Sequence, residues 1–377
     1  MILSLWPMFL SCQESKIQTI DTNEPSTETE PSTEVDPQED AVSFLVVEQV
    51  GTAAQLALRN TTDWENGIIL RETTTEAQIK HKDGYYWLLS RGEKESIVQY
   101  DPTDVSTPKA EYTFQEASSL YPSDVAICDD RVFVTTYYGT DILVLNADTL
   151  SLIDSIPLDT YADNDGFSEA ASVVCKSDHI YVSLHRYNQN EATTPPQIGS
   201  MWVMFDAQTL EEVQLFPDQG YKSMLFDIPT ADSLGSVVQP HIDVTGTPGF
   251  WIYDLVDHTY RSQIYFIYND KTIFDTVIGN ERAVHLAYNY ADNATWAFCH
   301  AYTPDSEQPA NSAQRIENTT LSFDSITMNS QDDIWMAFHK ANDTGESFLM
   351  SVNSETCHPN EDQQSVAHRI LDWELVK

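Results

Sequence analysis

The densest group of residues able to do chemistry is Asp163-Asn164-Asp165-Gly166-Phe167-Ser168-Glu169. Carboxylates at alternate positions, a Gly that permits a sharp turn and a later Glu are the ingredients of a Ca²⁺ loop, because hard cations take oxygen ligands. The EF-hand spacing is incomplete, since Val174 stands where the twelfth-position Glu would fall. Asp163, Asp165 and Glu169 are therefore the candidate metal ligands, with Ca²⁺ as the cofactor they would hold. The alternative is an acidic turn whose side chains cap backbone amides. Further on, His185-Arg186-Tyr187 combine an imidazole, a forked cation and a phenol. Such a set could orient an anionic or sugar-like ligand; alternatively, His185 and Arg186 pair with the acidic turn. The sequence holds no Gly-x-Ser-x-Gly elbow, no His-Glu-x-x-His and no phosphate-cradling Gly loop, so no catalytic residue is assigned. His300 and His339 are expected to end equivalent strands, but two histidines without a third ligand do not define a metal site.

Of the 5 cysteines, Cys128, Cys175, Cys299 and Cys357 could form two disulfides. The expected pairs are Cys128–Cys175 and Cys299–Cys357, with buried free thiols as the alternative.

The elements that must position these groups repeat along the chain. Asp124-Val-Ala-Ile-Cys128, Arg131-Val-Phe-Val-Thr135 and Ile142-Leu-Val-Leu-Asn-Ala-Asp-Thr-Leu150 are followed by Ser172-Val-Val-Cys175, Ile180-Tyr-Val-Ser183 and Trp202-Val-Met-Phe-Asp-Ala-Gln-Thr-Leu210. Each series is a short strand, a polar turn, a strand of β-branched and aromatic residues, another turn, and a third strand ending in (Asn/Asp)-Ala-x-Thr-Leu. Leu152–Leu158 and Glu212–Phe216 supply a fourth strand. Four short strands every 40 to 50 residues or so is the period of a β-propeller blade.

Tyr85–Ser90 with Ile97–Thr103 begins a similar unit earlier, and Thr295-Trp-Ala-Phe298 and Ile334-Trp-Met-Ala337 are read as second strands of later ones. The expected fold is all-β, a propeller of seven blades of four antiparallel strands. Its units lie near 42–75, 76–118, 120–160, 168–217, 221–279, 280–323 and 324–360. Arg369–Leu375 reads as a strand that pairs with the first unit and closes the ring, which removes two exposed edges.

On these residues, chiefly 76–215, the chain resembles the YncE-like seven-bladed propellers, related to NHL and WD40 rings, of bacterial surface lipoproteins. In that resemblance an Asp-x-Asp-Gly-x-x-Glu stretch precedes a strand ending in an Arg-rich turn, the place taken here by His185-Arg186-Tyr187.

The N-terminus fits the same picture. Residues 2–10 are largely apolar and run into Phe9-Leu10-Ser11-Cys12, which resembles a lipoprotein lipobox. The run is short of the roughly twenty apolar residues a spanning helix needs. The resemblance implies a signal peptide over 1–11 and a lipid on Cys12. Residues 13–40 contain Glu-Pro-Ser-Thr-Glu twice and few large apolar residues after Ile20. Such a stretch cannot bury enough surface to offset its ordering entropy, and Pro with like charge keeps it extended. The expected layout is signal peptide 1–11, lipidated acidic tether 12–40 and propeller 41–377. Gln13 after the Cys points to the outer membrane by analogy with enteric bacteria.

With 59 acidic and 19 basic residues the formal net charge is -40, which repels nucleic acid and anionic lipid surfaces alike. The membrane contact expected is therefore the lipid alone, and the domain is expected to be monomeric. The function expected is a surface-tethered binding or scaffold module whose ligand the sequence does not name. The alternative is a Ca²⁺-dependent lactonase-like hydrolase, which would need acidic ligands converging on the funnel from several blades.

Overall fold

A turn that recurs twice shows how the sequence builds its strands. Asn146 Oδ1 accepts from the amides of Asp148 and Thr149, and Asp206 Oδ1 from those of Gln208 and Thr209. The side chain thus closes the hairpin that the backbone has just opened. Leu150 N then donates to Asn146 O and Leu210 N to Asp206 O, with both leucines in the left-handed region at φ 53° and 63°. Ala147 N and Ala207 N reach back to Asp130 O and Asp178 O in the preceding hairpin. The (Asn/Asp)-Ala-x-Thr-Leu repeat is the record of this one local geometry.

The computed structural model describes residues 42–115, 119–176, 178–186 and 201–216, and beyond these the strands from Phe226 to Val376 and His368. The chain divides into two units, Met1–Asp40 and Ala41–Lys377, and the first lies outside the described residues. Among the described residues the strands form seven four-stranded antiparallel sheets.

Sheet 1 runs Arg369–Val376, Ser43–Val50, Ala53–Asn60, Ile68–Thr73, so the C-terminal strand lies beside the N-terminal one. Sheet 2 comprises Gln78–Lys82, Tyr85–Ser90, Ser96–Asp101 and Asp104–Thr113. Sheet 3 holds Pro122–Cys128, Arg131–Thr136, Asp141–Asn146 and Leu152–Pro157. Sheet 4 holds Ala170–Lys176, His179–Leu184, Met201–Asp206 and Glu212–Phe216. Sheet 5 extends from Phe226–Ile228 to Thr259–Tyr265, sheet 6 from Lys271–Ile278 to Gln314–Ile316, and sheet 7 from Leu321–Met328 to His358–Val366.

Each contact between successive sheets involves the first strand of at least one of them. Arg369–Val376 meets both Gln78–Lys82 and Leu321–Met328, which closes the circuit.

Among the described residues the core is divided into layers that lie between neighbouring sheets. Leu45, Val47, Tyr86 and Leu88 fill the space between sheets 1 and 2, and Trp87, Leu89, Val125 and Val134 that between sheets 2 and 3. Phe133, Val144, Val182 and Val203 pack between sheets 3 and 4. Phe44, Val46, Leu349 and Trp373 close the gap between sheets 7 and 1, with Phe44 stacked on Trp373 at 4.8 Å. A middle strand covered on both faces needs a continuous apolar run, which is why Arg131–Thr136 and His179–Leu184 are buried from their second residue on. The outermost strands Leu152–Pro157 and Glu212–Phe216 are mostly exposed.

Two sequence expectations are corrected. Lys271–Ile278 opens sheet 6 rather than ending the fifth unit, so the unit read as 221–279 stops at Tyr265. Ala294–Ala301 is then the third strand of sheet 6, whereas Ile334–Lys340 is the second of sheet 7. The shared aromatic-apolar pattern reports a covered central strand and does not distinguish the second from the third. His300 and His339 therefore do not occupy equivalent places.

Candidate functional site

The acidic stretch forms the connection from sheet 3 to sheet 4, just after a 3-10 turn at Asp159–Tyr161. Asp163 Oδ1 accepts the Asp165 amide at 2.9 Å, and Asp165 Oδ1 accepts the Phe167 amide at 3.1 Å. Asp163 N donates to Phe167 O at 2.9 Å, and Gly166 supplies φ 93° at the tip, where an L side chain would be strained. The loop thus folds on itself and turns its carboxylates together. Atoms of Asp163, Asp165 and Glu169 lie within 4.8 Å of one another. Opposite oxygens on one Ca²⁺ shell are separated by about 5 Å, so these three could share one such ion as part of its six to eight ligands. The arrangement also serves the capping role, since each aspartate spends one oxygen on a backbone amide.

Electrostatics concentrate on Asp163. Its Oδ2 is buried with no hydrogen-bond partner among the described residues. Burial pushes its carboxyl above the ordinary value; the Asp165 amide opposes this, the Asp165 side chain adds to it, and the charge of Arg186 opposes it. His185 and Arg186 adjoin the same loop: His185 N donates to Glu169 O at 3.0 Å and Arg186 N to Ser168 O at 3.3 Å. His185 Nδ1 lies 3.3 Å from the Tyr137 hydroxyl. The structure therefore brings together Asp163, Asp165, Glu169, His185 and Arg186, the proximity that the sequence offered as one of two readings of His185 and Arg186. Tyr187 lies outside the described residues, as does Cys12.

A second polar cluster, absent from the sequence reading, ties the sheets together on their first strands. Lys80 and Lys82 alternate on Gln78–Lys82 and so share a face. Lys80 Nζ donates to Ser123 O at 2.8 Å and to Asp124 Oδ1 at 3.3 Å. Lys82 Nζ donates to Asp124 Oδ2 at 2.7 Å and to the Val173 carbonyl. Val173 N completes the set with a 2.9 Å bond to Asp124 Oδ2, so one buried carboxylate joins sheets 2, 3 and 4.

Burial pushes the Lys80 ammonium below its ordinary value against the pull of Asp124. For Asp124 burial alone would raise the carboxyl, but the charges of Lys80 and Lys82 and the bonds from Lys82 and Val173 hold it below the ordinary carboxylate value. Arg91 bonds Pro122 O at 2.8 Å and Gln78 Oε1 at 2.6 Å, and Asp372 Oδ2 takes the Ile79 amide at 3.0 Å, linking sheet 1 to sheet 2. A charge in an otherwise apolar strand, Asp124 ahead of Val-Ala-Ile, was the available signal.

Cys128 ends the first strand of sheet 3 and Cys175 is the penultimate residue of the first strand of sheet 4; they are joined in a disulfide with Cα atoms 5.6 Å apart. Cys299 is fully buried and disulfide-bonded; Cys357 lies outside the described residues.

No protein-family model matches the sequence and no curated protein matches it. Among solved structures the chain is similar to a protein from Lactobacillus plantarum, at 12% identity over 89% of this chain and 100% of that one, with a TM-score of 0.56. It is similar to the Dos1 propeller at 11% identity over 88% and 86% of the two chains, with a TM-score of 0.52. The β-propeller domain of Cps50 (Swd1) from Myceliophteria thermophila matches at 8% identity over 86% and 89%, with a TM-score of 0.51. At such identities the likeness concerns the fold alone. With the closed circuit of antiparallel sheets, it makes residues 41–377 a β-propeller.

Proposed function

We propose that the chain is a tethered binding or scaffold module of the YncE-like kind, each of its seven sheets serving as one blade. Cys12 carries the lipid in this reading, residues 13–40 act as an extended acidic spacer, and the ring stands clear of the outer membrane. The observation that carries the module reading is the use made of charge on the first strands: Lys80, Lys82, Asp124 and Asp372 are engaged with neighbouring sheets. Groups so engaged maintain the ring's shape, and contact with a partner falls to loops and rim. Asp163, Asp165 and Glu169 come from one connection rather than from several sheets, so they lend nothing to a lactone-opening centre on the axis.

The tether is tested by metabolic labelling with a clickable palmitate analogue in a bacterial host. The wild-type chain is expected to take the label and Cys12→Ser to lose it; equal labelling of both would end the lipoprotein reading. The module reading is tested by assaying the purified chain against a lactone panel with Ca²⁺. Saturable turnover that copurifies with the chain through gel filtration and is lost in EDTA would replace the scaffold with the hydrolase.

A further inference from the structure

Acidic residues are spread along the whole chain, but one trio is gathered. Among the described residues Asp163, Asp165 and Glu169 are the only group of three metal-ligating side chains whose donor atoms all lie within 4.8 Å of one another. The turn at Asp104 shows what capping alone requires, for its Oδ1 takes the Ser106 amide and hydroxyl from an exposed position. Capping likewise accounts for Asp163 Oδ1 and Asp165 Oδ1, which take the amides of Asp165 and Phe167.

Capping does not account for the rest of the loop. Glu169 is 0% exposed, yet its carboxylate is turned into the group. Asp163 Oδ2 is shut off from water with no hydrogen-bond partner among the described residues, and so is the hydroxyl of Ser168, itself 1% exposed. Buried charge is held by an opposite charge or by a metal, and buried polar atoms left over call for an ordered water or ion. Arg186, whose amide bonds Ser168 O, sets one positive charge beside the three carboxylates. The balance left is what a single divalent cation cancels.

We propose that the connection from sheet 3 to sheet 4 is a Ca²⁺ site, with Asp163, Asp165 and Glu169 as its carboxylate ligands and water or backbone oxygen completing the shell. A trio of carboxylates selects a hard cation. A single irregular loop suits the flexible shell of Ca²⁺ better than the near-ideal octahedron that Mg²⁺ demands. The same loop accepts the His185 and Arg186 amides, so the ion pins the end of the second strand of sheet 4 together with the passage between the two sheets. This goes beyond the module reading and depends neither on the tether nor on what the ring binds.

The test strips the full chain with EDTA and returns it to about 0.15 M KCl, which screens diffuse attraction to an acidic surface. Calorimetric titration with Ca²⁺ is expected to show one equivalent, with Kd of the order of 10⁻⁵–10⁻⁴ M. Tb³⁺ should occupy the same place and luminesce on tyrosine excitation, since the Tyr138 ring lies 6.1 Å from that of Phe167 in the loop, and Ca²⁺ should displace it. A hundredfold excess of Ca²⁺ over Kd should raise Tm by about 2–4 °C. Asp163→Asn and Glu169→Gln should each weaken Ca²⁺ about tenfold or more. In EDTA both should melt no lower than wild type, because like charge is removed, so the lost Ca²⁺ shift is not a lost fold. Asp148→Asn with Asp154→Asn removes two exposed carboxylates elsewhere on the third sheet and its turn, and should bind like wild type. No saturable heat up to about 5 mM Ca²⁺, wild-type affinity in the ligand variants, equal loss in the Asp148 and Asp154 control, or displacement of Tb³⁺ by Mg²⁺ as readily as by Ca²⁺ would each overturn the site. Ca²⁺ bound without lactone turnover supports the site and leaves the module reading as it stands.

Discussion

Lys82 Nζ sits 2.7 Å from Asp124 Oδ2, so a side chain from sheet 2 meets the one carboxylate that sheets 3 and 4 also use. Asp124→Ala leaves two ammonium groups beside a vacated acceptor. Breaking a buried pair from one side costs about 3–5 kcal/mol. Urea unfolding should show that loss, and Lys82→Met combined with Asp124→Leu should recover part of it, because the uncompensated charge is then reduced.

Acid should weaken the same junction. The folded carboxyl of Asp124 lies below its unfolded value, so its contribution is fully present above the unfolded pKa of about 3.9. It is lost as pH falls through the lowered folded value. The stability gap between wild type and Asp124→Asn should be constant near neutrality and shrink below about pH 4. A gap that does not change down to pH 2 would contradict the assignment.

The Cys128–Cys175 bond closes a loop with a sequence separation of 47. In the chain-entropy account this stabilises by about 4 kcal/mol at most. Cys128→Ser should lower the urea midpoint accordingly, and reducing agent should lower the midpoint of wild type more than that of the variant.

Trp373, 1% exposed and stacked on Phe44, anchors the closing strand. Trp373→Ala is expected to cost about 3–5 kcal/mol. Because Trp373 fills the gap between sheets 1 and 7, hydrogen exchange should speed up first at Ser43–Val50 and Leu321–Met328.

Asp165 adds like charge beside Asp163. In EDTA, Asp165→Asn should raise Tm by about 1–3 °C, since the amide oxygen can still hold the Phe167 NH. Differential scanning calorimetry of both proteins checks this.

The amino-acid sequence determined the features that are local. The hairpins at Asn146 and Asp206 repeat because one side-chain oxygen and two amides within three residues make the turn, and this is visible as (Asn/Asp)-Ala-x-Thr-Leu. The strand at Arg369–Val376 was legible from its apolar run, and the acidic loop from its alternating carboxylates. Where such turn signals fail, between 221 and 323, unit boundaries were misplaced, because a covered second strand and a covered third strand demand the same apolar residues. Only the tertiary structure decided that His185 and Arg186 back the acidic loop, and that Lys80, Lys82, Asp124 and Val173 form one junction. Those partners are 42 to 91 residues apart, and nothing in one strand's composition fixes the register at which a neighbouring sheet will meet it.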